Sequence, residues 1–326
     1  MNFIVLGAAG FIGSNLCEKL LSMGHKVVGI DNLEYGNLNN IKKIKNHSSF
    51  VFHHKDIIKS NILDKVHGEV LVHLASQKIP RYDNSLRTLS DNDIMTNLVI
   101  KKCIQEDTKL VFASTSDVYG KNPSIPFTEK HDLVLGPTKI KRWAYATSKI
   151  FSEHKIIANH EANKLNYTIV RFFGSYGINQ NLTWWGGPQS VFINKALNNE
   201  EIEIHGNGTQ TRTFTYIKDT VNALSRCCIN EKANNNIFNI AGSPNQEIKI
   251  IDLAKLIWEI INPETNPKIK FIPYETFGKY EDVQRRVPSI DKICNLLGYK
   301  PQYSLETGLK ETIKWQVDFL ANENKL

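Results

Sequence analysis

An α/β fold built on a doubly wound parallel sheet, with a smaller C-terminal α/β lobe, is predicted by three observations. An apolar run at the start of the chain passes straight into a glycine turn and then into a helix. Segments patterned as strands and as helices alternate through the first half. After Gly177 that rhythm gives way to a stretch rich in Asn, Gly and Trp that runs to Pro188.

The first strand is Phe3-Ile4-Val5-Leu6, and the helix after it carries Leu16, Leu20 and Leu21 on one face. Between them Gly7, Gly10 and Gly13 are spaced three and three. A strand, a glycine turn and a helix N-terminus in that order gather backbone N–H groups and the positive end of the helix dipole around an anion. The spacing is a variant of the Rossmann dinucleotide fingerprint: a tight turn, a close approach of backbone to pyrophosphate, and close packing of helix on strand. Lys26-Val27-Val28-Gly29-Ile30 reads as the second strand and ends in Asp31. An acid there accepts from an adenosine ribose 2′-hydroxyl and repels a 2′-phosphate, so NAD is expected rather than NADP. The bland alternative is a generic α/β turn with a surface aspartate.

Further strands are expected at Val70-Leu71-Val72-His73-Leu74, Leu110-Val111-Phe112-Ala113 and Thr168-Ile169-Val170-Arg171-Phe172, with helices over about 84–105 and 143–163. Beyond Gly177 the pattern suggests a helix near 189–198, strands at Ile202-Glu203-Ile204 and Phe238-Asn239-Ile240, a helix near 250–261 and two short closing helices. The expected division is a cofactor domain over residues 1–178 and a substrate lobe over 179–326, with segments lent across the boundary.

Composition narrows the class. The chain has 326 residues, 41% hydrophobic and 22% charged, as expected of a globular protein. No apolar run approaches the roughly 18 residues of a membrane span. The N-terminus has neither a basic region nor a small-residue cleavage site, so no signal peptide is expected and a cytoplasmic location is. Cys17, Cys103, Cys227, Cys228 and Cys294 are odd in number and lack metal-ligand spacing, which suits reduced thiols and no metal. The net charge of +7 is spread along the chain, which argues against nucleic acid and allows an anionic small substrate.

Tyr145-Ala146-Thr147-Ser148-Lys149 places a phenol and an ammonium four residues apart, on one face of the expected helix. A nearby ammonium favours the phenolate, and such a tyrosine can take a proton from a sugar hydroxyl while hydride leaves the same carbon. Alone this spacing marks an ordinary surface pair. Its weight comes from the preceding strand, which ends Ala113-Ser114-Thr115-Ser116-Asp117-Val118-Tyr119-Gly120 at the edge of the sheet where ligands bind.

With these residues in view, the chain resembles the extended short-chain dehydrogenase/reductases that act as nucleotide-sugar epimerases, dehydratases and decarboxylases. The resemblance covers nearly the whole chain. It implies a catalytic set of Thr115, Tyr145 and Lys149 with Ser116 and Asp117 beside it. It implies cofactor contacts from Gly7, Gly10, Phe11, Ile12, Gly13, Asp31, Asn32, Asp56, Ile57, Leu74, Ala75, Ser76, Asn92 and Ser114 as well as Tyr145 and Lys149. Arg212, in Gly206-Asn207-Gly208-Thr209-Gln210-Thr211-Arg212, matches an arginine on the substrate diphosphate, and Arg286 lies in a second segment placed near diphosphate or sugar. Relatives pair two helices into a dimer, so a homodimer is expected, with Ile94, Leu98, Ile150, Phe151 and Ile157 among the apolar residues on offer.

Departures from the family pattern bear on substrate. Gly174 replaces an asparagine, and Ile178 a proline, in the segment after Arg171-Phe172-Phe173. Trp184 and Trp185 fall where sugar and base should lie, able to stack or merely to pack. Lys78 and Arg81 form a cationic pair beside the expected sugar site. Oxidation at the sugar C4 is common to the family. A 4-epimerase of a UDP-sugar is the first expectation, a UDP-glucuronate decarboxylase the second and a dehydratase the third; a non-catalytic NAD-binding regulator has no need of an intact Thr–Tyr–Lys set. Asp117 bears on the choice, as a base at C5 or as a partner for a hydroxyl. Arg142-Trp143 before Tyr145, and Arg285-Arg286 near the end, resemble the decarboxylases, where Arg286 would grip a carboxylate.

Overall fold

Seven parallel strands make the central sheet: β1 (Asn2–Leu6), β2 (Lys26–Asp31), β3 (Phe50–His54), β4 (Val70–His73), β5 (Lys109–Thr115), β6 (Tyr167–Phe172) and β7 (Asn236–Ile240). Their spatial order is β7-β6-β5-β4-β1-β2-β3. The structure is a computed structural model and describes residues 1–78, 85–277 and 281–323. The order reverses between β1 and β4, so the crevice outside the carboxyl ends of those strands is where this class of sheet takes its ligand.

The strands are apolar on both faces, as a sheet covered by helices requires. Phe3 and Val5 turn to one face, where α1 (Phe11–Ser22) and α5 (Ile217–Ile229) supply Leu16, Leu20 and Leu224. Ile4 and Leu6 turn to the other, where α2 (Ser85–Gln105) and α3 (Arg142–Asn163) supply Val99, Ile100 and Ile156.

The smaller lobe is built on α4 (Pro188–Leu197), α6 (Ile250–Ile261), α7 (Asp291–Leu297) and α8 (Leu305–Glu323). A parallel strand pair, Ile202–His205 with Ile269–Ile272, belongs to it. So does a small sheet in which Thr211–Thr213 lies between Glu247–Lys249 and Arg285–Arg286. Among the described residues no helix is long and apolar enough to cross a membrane.

β7 pairs with β6 and α5 packs on α1, so the sheet and its helical cover include residues beyond 178. Two features depart from the sequence reading. β3 was not expected: it is an edge strand, Val51 is exposed, and its two histidines break the apolar pattern that marks a covered strand. The last helix is not short but 19 residues long, and its Gln316 side chain donates to the Ser190 carbonyl at 3.0 Å to dock it on α4.

Candidate active site

A cleft of about 860 Å³ runs across the carboxyl edge of the sheet into the smaller lobe. Its first half is backbone. Gly7 sits at φ +82°, and a side chain on Gly13 would put its Cβ 1.9 Å from the Gly7 carbonyl oxygen, so turn and helix are pressed together. α1 opens on Gly10 with no side-chain cap and no acid in its first turn, and Gly10, Phe11, Ile12 and Gly13 all line the cleft. The N–H groups of that turn therefore remain for a ligand anion.

Asp31 is buried at the end of β2. It accepts from the Ala9 N–H at 2.9 Å and the Leu33 N–H at 2.8 Å. Burial raises its pKa, and these amides oppose the shift. A carboxylate offers about four lone-pair directions, so two remain for a ribose diol. Asn32, Asp56 and Ile57 line the same end, with Asn32 donating to Asp56 at 3.4 Å. Uncapped N–H groups at one end and a buried acid with spare acceptors beside them fit NAD. Bound there, NAD supplies the hydride acceptor and donor.

Tyr145 and Lys149 face the middle of the cleft from α3. The Lys149 ammonium donates to the Ala113 carbonyl at 2.8 Å and lies 4.7 Å from the centre of the Phe112 ring. Burial pulls it down to about 7, against the pull of Glu153. It is 5.9 Å from the centre of the Tyr145 ring. The expected lowering of the Tyr145 phenol is not found in the protein by itself. Burial first, and Asp117 second, raise it, opposed by a hydrogen bond with Ser76. A lysine turned to a carbonyl and held toward neutrality contributes little charge to the phenol.

Behind this pair, Ser114 donates to Glu153, whose carboxylate is held by Arg171 at 2.6 and 3.1 Å. Thr115 accepts from the Asp117 N–H at 3.2 Å, which caps the turn after β5.

The other half of the cleft is charge. Asp117 is buried and accepts from Arg142 at 3.0 Å and Arg286 at 2.7 Å. Burial works to raise its carboxyl, but Arg286 and then Arg142 outweigh it and hold the group at about 2. Arg142 reaches on to Asp282 at 3.1 Å, and Arg212 meets the same oxygen at 2.9 Å. Burial lowers Arg212 to about 10 despite that pairing. Three guanidiniums and two carboxylates leave one positive charge in excess, and all five line the cleft.

Lys78 donates to the Trp185 carbonyl at 3.2 Å, and Gly174 lines the cleft at φ +42°. Trp184 tilts against His205, ring centres 4.6 Å apart.

Several expected contacts fall elsewhere. Asn92 does not line the cleft: its amide bonds Gln77 N–H at 2.8 Å, the Gln77 carbonyl at 2.9 Å and Ser148 at 3.1 Å, fastening the turn after β4 to α3. Ser116 is buried and turned toward Arg286 at 3.4 Å rather than toward the cleft. Asp117 meets two guanidiniums, Arg142 and Arg286, both at its Oδ1. Trp185 is drawn to the cofactor side, 5.3 Å from Tyr35 in the loop after β2. Arg81 lies outside the described residues. The sequence reading noted Arg142 but gave it no place in the site, and missed Asp282 and Tyr274. Only the position of Arg142, first residue of the helix that carries Tyr145, was a usable signal.

A family model described as GDP-mannose 4,6 dehydratase matches residues 4–312. The chain belongs to this family. Its members similar to this chain include a UDP-N-acetyl-alpha-D-glucosaminuronate decarboxylase of Bacillus cytotoxicus, 33% identical over 323 residues and covering 96% of each chain. The UDP-glucuronic acid decarboxylase 1 of Danio rerio is 31% identical over 96% of this chain and 72% of its own length. Among solved structures, the UDP-glucuronic acid 4-epimerase of Bacillus cereus with UDP-glucuronic acid and NAD superposes with a TM-score of 0.84, at 27% identity over 98% of this chain and 100% of its own. The protein is thus an NAD-dependent enzyme of the nucleotide-sugar epimerase, decarboxylase and dehydratase family, with the Rossmann-type fold of its relatives.

Proposed function

We propose that this enzyme removes the carboxylate from a UDP-linked uronic acid through a 4-keto intermediate. The observation that carries the reading is the Arg286–Asp117–Arg142 cluster, close enough to Tyr145 for the Asp117 charge to raise its phenol. A carboxylate held at about 2 makes a poor proton acceptor, so elimination from C5 lacks its base. The excess positive charge beside the C4 chemistry suits a sugar that is itself an anion. The curated relatives named above, at 31% and 33% identity, are uronate decarboxylases. This reading ranks the decarboxylase ahead of the 4-epimerase, the first expectation from the sequence.

With NAD bound as the hydride acceptor, Tyr145 would take the proton of the C4 hydroxyl. The product is a β-keto acid. Its C5–C6 bond breaks, carbon dioxide departs, and the electron pair passes into the C4–C5 enolate. C5 would then take a proton from solvent, and Tyr145 would give its own proton back to the C4 oxygen as the ketone is reduced. Arg286 and Arg142 hold the carboxylate before it leaves, Arg212 meets the diphosphate, and Lys149 orients the cofactor ribose.

A second reading, 4-epimerisation of the same uronate, is favoured by the B. cereus neighbour. Incubation with UDP-glucuronate and its 2-acetamido analogue, followed by mass spectrometry, separates the two. Loss of the mass of carbon dioxide is expected; a new sugar of unchanged mass would establish the epimerase.

We also infer a homodimer through α2 and α3. Leu89, Ile94 and Phe151 are exposed there, whereas Leu98, Ile150 and Ile157 turn into the core. Light scattering should give twice the chain mass, and Ile94→Asp with Phe151→Asp should halve it. The five cysteines form no disulfide, which suits a reducing cytoplasm.

A further inference from the structure

We propose that Asp282 is a positioning residue that fixes the spacing of the arginines in the substrate half of the cleft. The inference rests on the proposed function only in taking that half to receive the anionic part of the substrate. No sequence motif singled out Asp282. It became visible as the point where four groups converge on one carboxylate.

Its Oδ1 accepts from Arg142 Nη1 at 3.1 Å, Arg212 Nη2 at 2.9 Å and the Val283 N–H at 2.9 Å. Its Oδ2 accepts from the Tyr274 hydroxyl at 3.1 Å. Arg142 Nη1 also donates to the Glu281 carbonyl at 2.8 Å, one residue away. With Asp117 included, five charges alternate in sign along the cleft: Arg286, Asp117, Arg142, Asp282, Arg212. Each carboxylate separates two guanidiniums that would otherwise repel one another.

The elements joined give Asp282 its effect. Arg142 opens α3, three residues before Tyr145. Arg212 lies on the strand Thr211–Thr213, in register with Arg286 on the neighbouring strand. Asp282 therefore ties the substrate lobe to the helix that carries the acid–base tyrosine. It sets the distance between the groups that grip the anion and the group that handles the C4 proton. Asp117 holds only the Arg142–Arg286 pair, so without Asp282 nothing equivalent separates Arg142 from Arg212.

The test uses the NAD-loaded enzyme. Asp282→Asn keeps the shape and an acceptor for the Val283 N–H but removes the charge. UDP binding by calorimetry should weaken roughly 10- to 100-fold, the range for losing hydrogen bonds between charged groups. KM for the active nucleotide sugar should rise by a similar factor, with kcat changed less and NAD content unchanged. Asp282→Glu, which keeps the charge but displaces it by one methylene, should fold and bind UDP weakly as well.

Normal UDP affinity and normal KM in folded Asp282→Asn would overturn the proposal. Should that variant not fold, normal UDP affinity in Asp282→Glu would do the same. UDP lacks the reacting sugar, so its binding reads Asp282 whichever reaction occurs. A wild-type enzyme that leaves uronates at unchanged mass would sink the decarboxylase reading while leaving this inference to the UDP result.

Discussion

One half of the cleft, the half that fits NAD, is lined by glycines, amides and one buried acid drawn mostly from the first 31 residues and the turn after β4. The other half, proposed to receive the sugar, is lined by guanidiniums and carboxylates from positions 117, 142, 212, 282 and 286. The first half needs few charges because backbone N–H groups already point at the ligand. The second has no such backbone and assembles its field from side chains that must be held against mutual repulsion. On the proposed reading, the first half serves the hydride transfer and the second carries what distinguishes one reaction from another.

The largest effect expected lies where the halves meet. Tyr145→Phe should lower the rate by roughly 10²–10⁴, the range for a positioned acid–base group, with UDP and NAD binding little changed. Near-normal turnover in steady-state assays would remove Tyr145 from the mechanism and leave the halves without a common centre.

Lys149 gives the next largest effect, and in stability. Its pKa falls from an unfolded value near 10.5 to about 7 in the folded protein. The folded state thus binds the proton more weakly, and stability rises as pH climbs from 7 toward 10.5. At pH 7 or below, the burden is on the order of 3–5 kcal/mol. Lys149→Met should make the cofactor-free protein more stable than the wild type at pH 7, with the gap closing near pH 10, while NAD affinity falls. Denaturant titrations at the two pH values check this; a gap that does not depend on pH would mean the lysine is charged in the folded state.

Asp117 gives the smallest effect and sharpens the account of the sugar half. Its carboxyl lies at about 2 against an ordinary value of 3.8. A depressed acid contributes stability above its unfolded pKa and loses it as pH falls through its folded one. About 2 kcal/mol should therefore separate wild type from Asp117→Asn near pH 6, and the difference should shrink between pH 4 and 2. Both guanidiniums meet Oδ1, which asparagine keeps as an amide acceptor, so turnover of the variant should stay within about tenfold of the wild type. A kinetic loss as deep as that of Tyr145→Phe would restore Asp117 as a base.

The same contrast explains how much the sequence disclosed. The glycine turn, Asp31 and the Tyr145–Lys149 pair are legible because each group is local: a turn, a strand end, a single helical turn. The helices at 84–105, 143–163 and 250–261 appear at Ser85–Gln105, Arg142–Asn163 and Ile250–Ile261, since long amphipathic segments announce their period. Asp282 and Tyr274 were invisible because their meaning depends on the packing of one lobe against the other. Asn92 was legible as a buried residue but not in its role, because only the fold shows all its hydrogen bonds directed inward. The Lys149 expectation failed for a related reason: spacing gives proximity on a helix, whereas burial decides protonation.

The contact between Gly13 and the Gly7 carbonyl has a thermodynamic consequence. A turn closed this tightly on its helix has little conformational freedom in the absence of a ligand. Docking a pyrophosphate there removes little entropy from the chain, so more of each amide's interaction survives as affinity. In the proposed reaction the nicotinamide would be reduced and reoxidised within one turnover, and slow dissociation is then an advantage: a cofactor that stays bound between catalytic cycles needs no second enzyme to restore it.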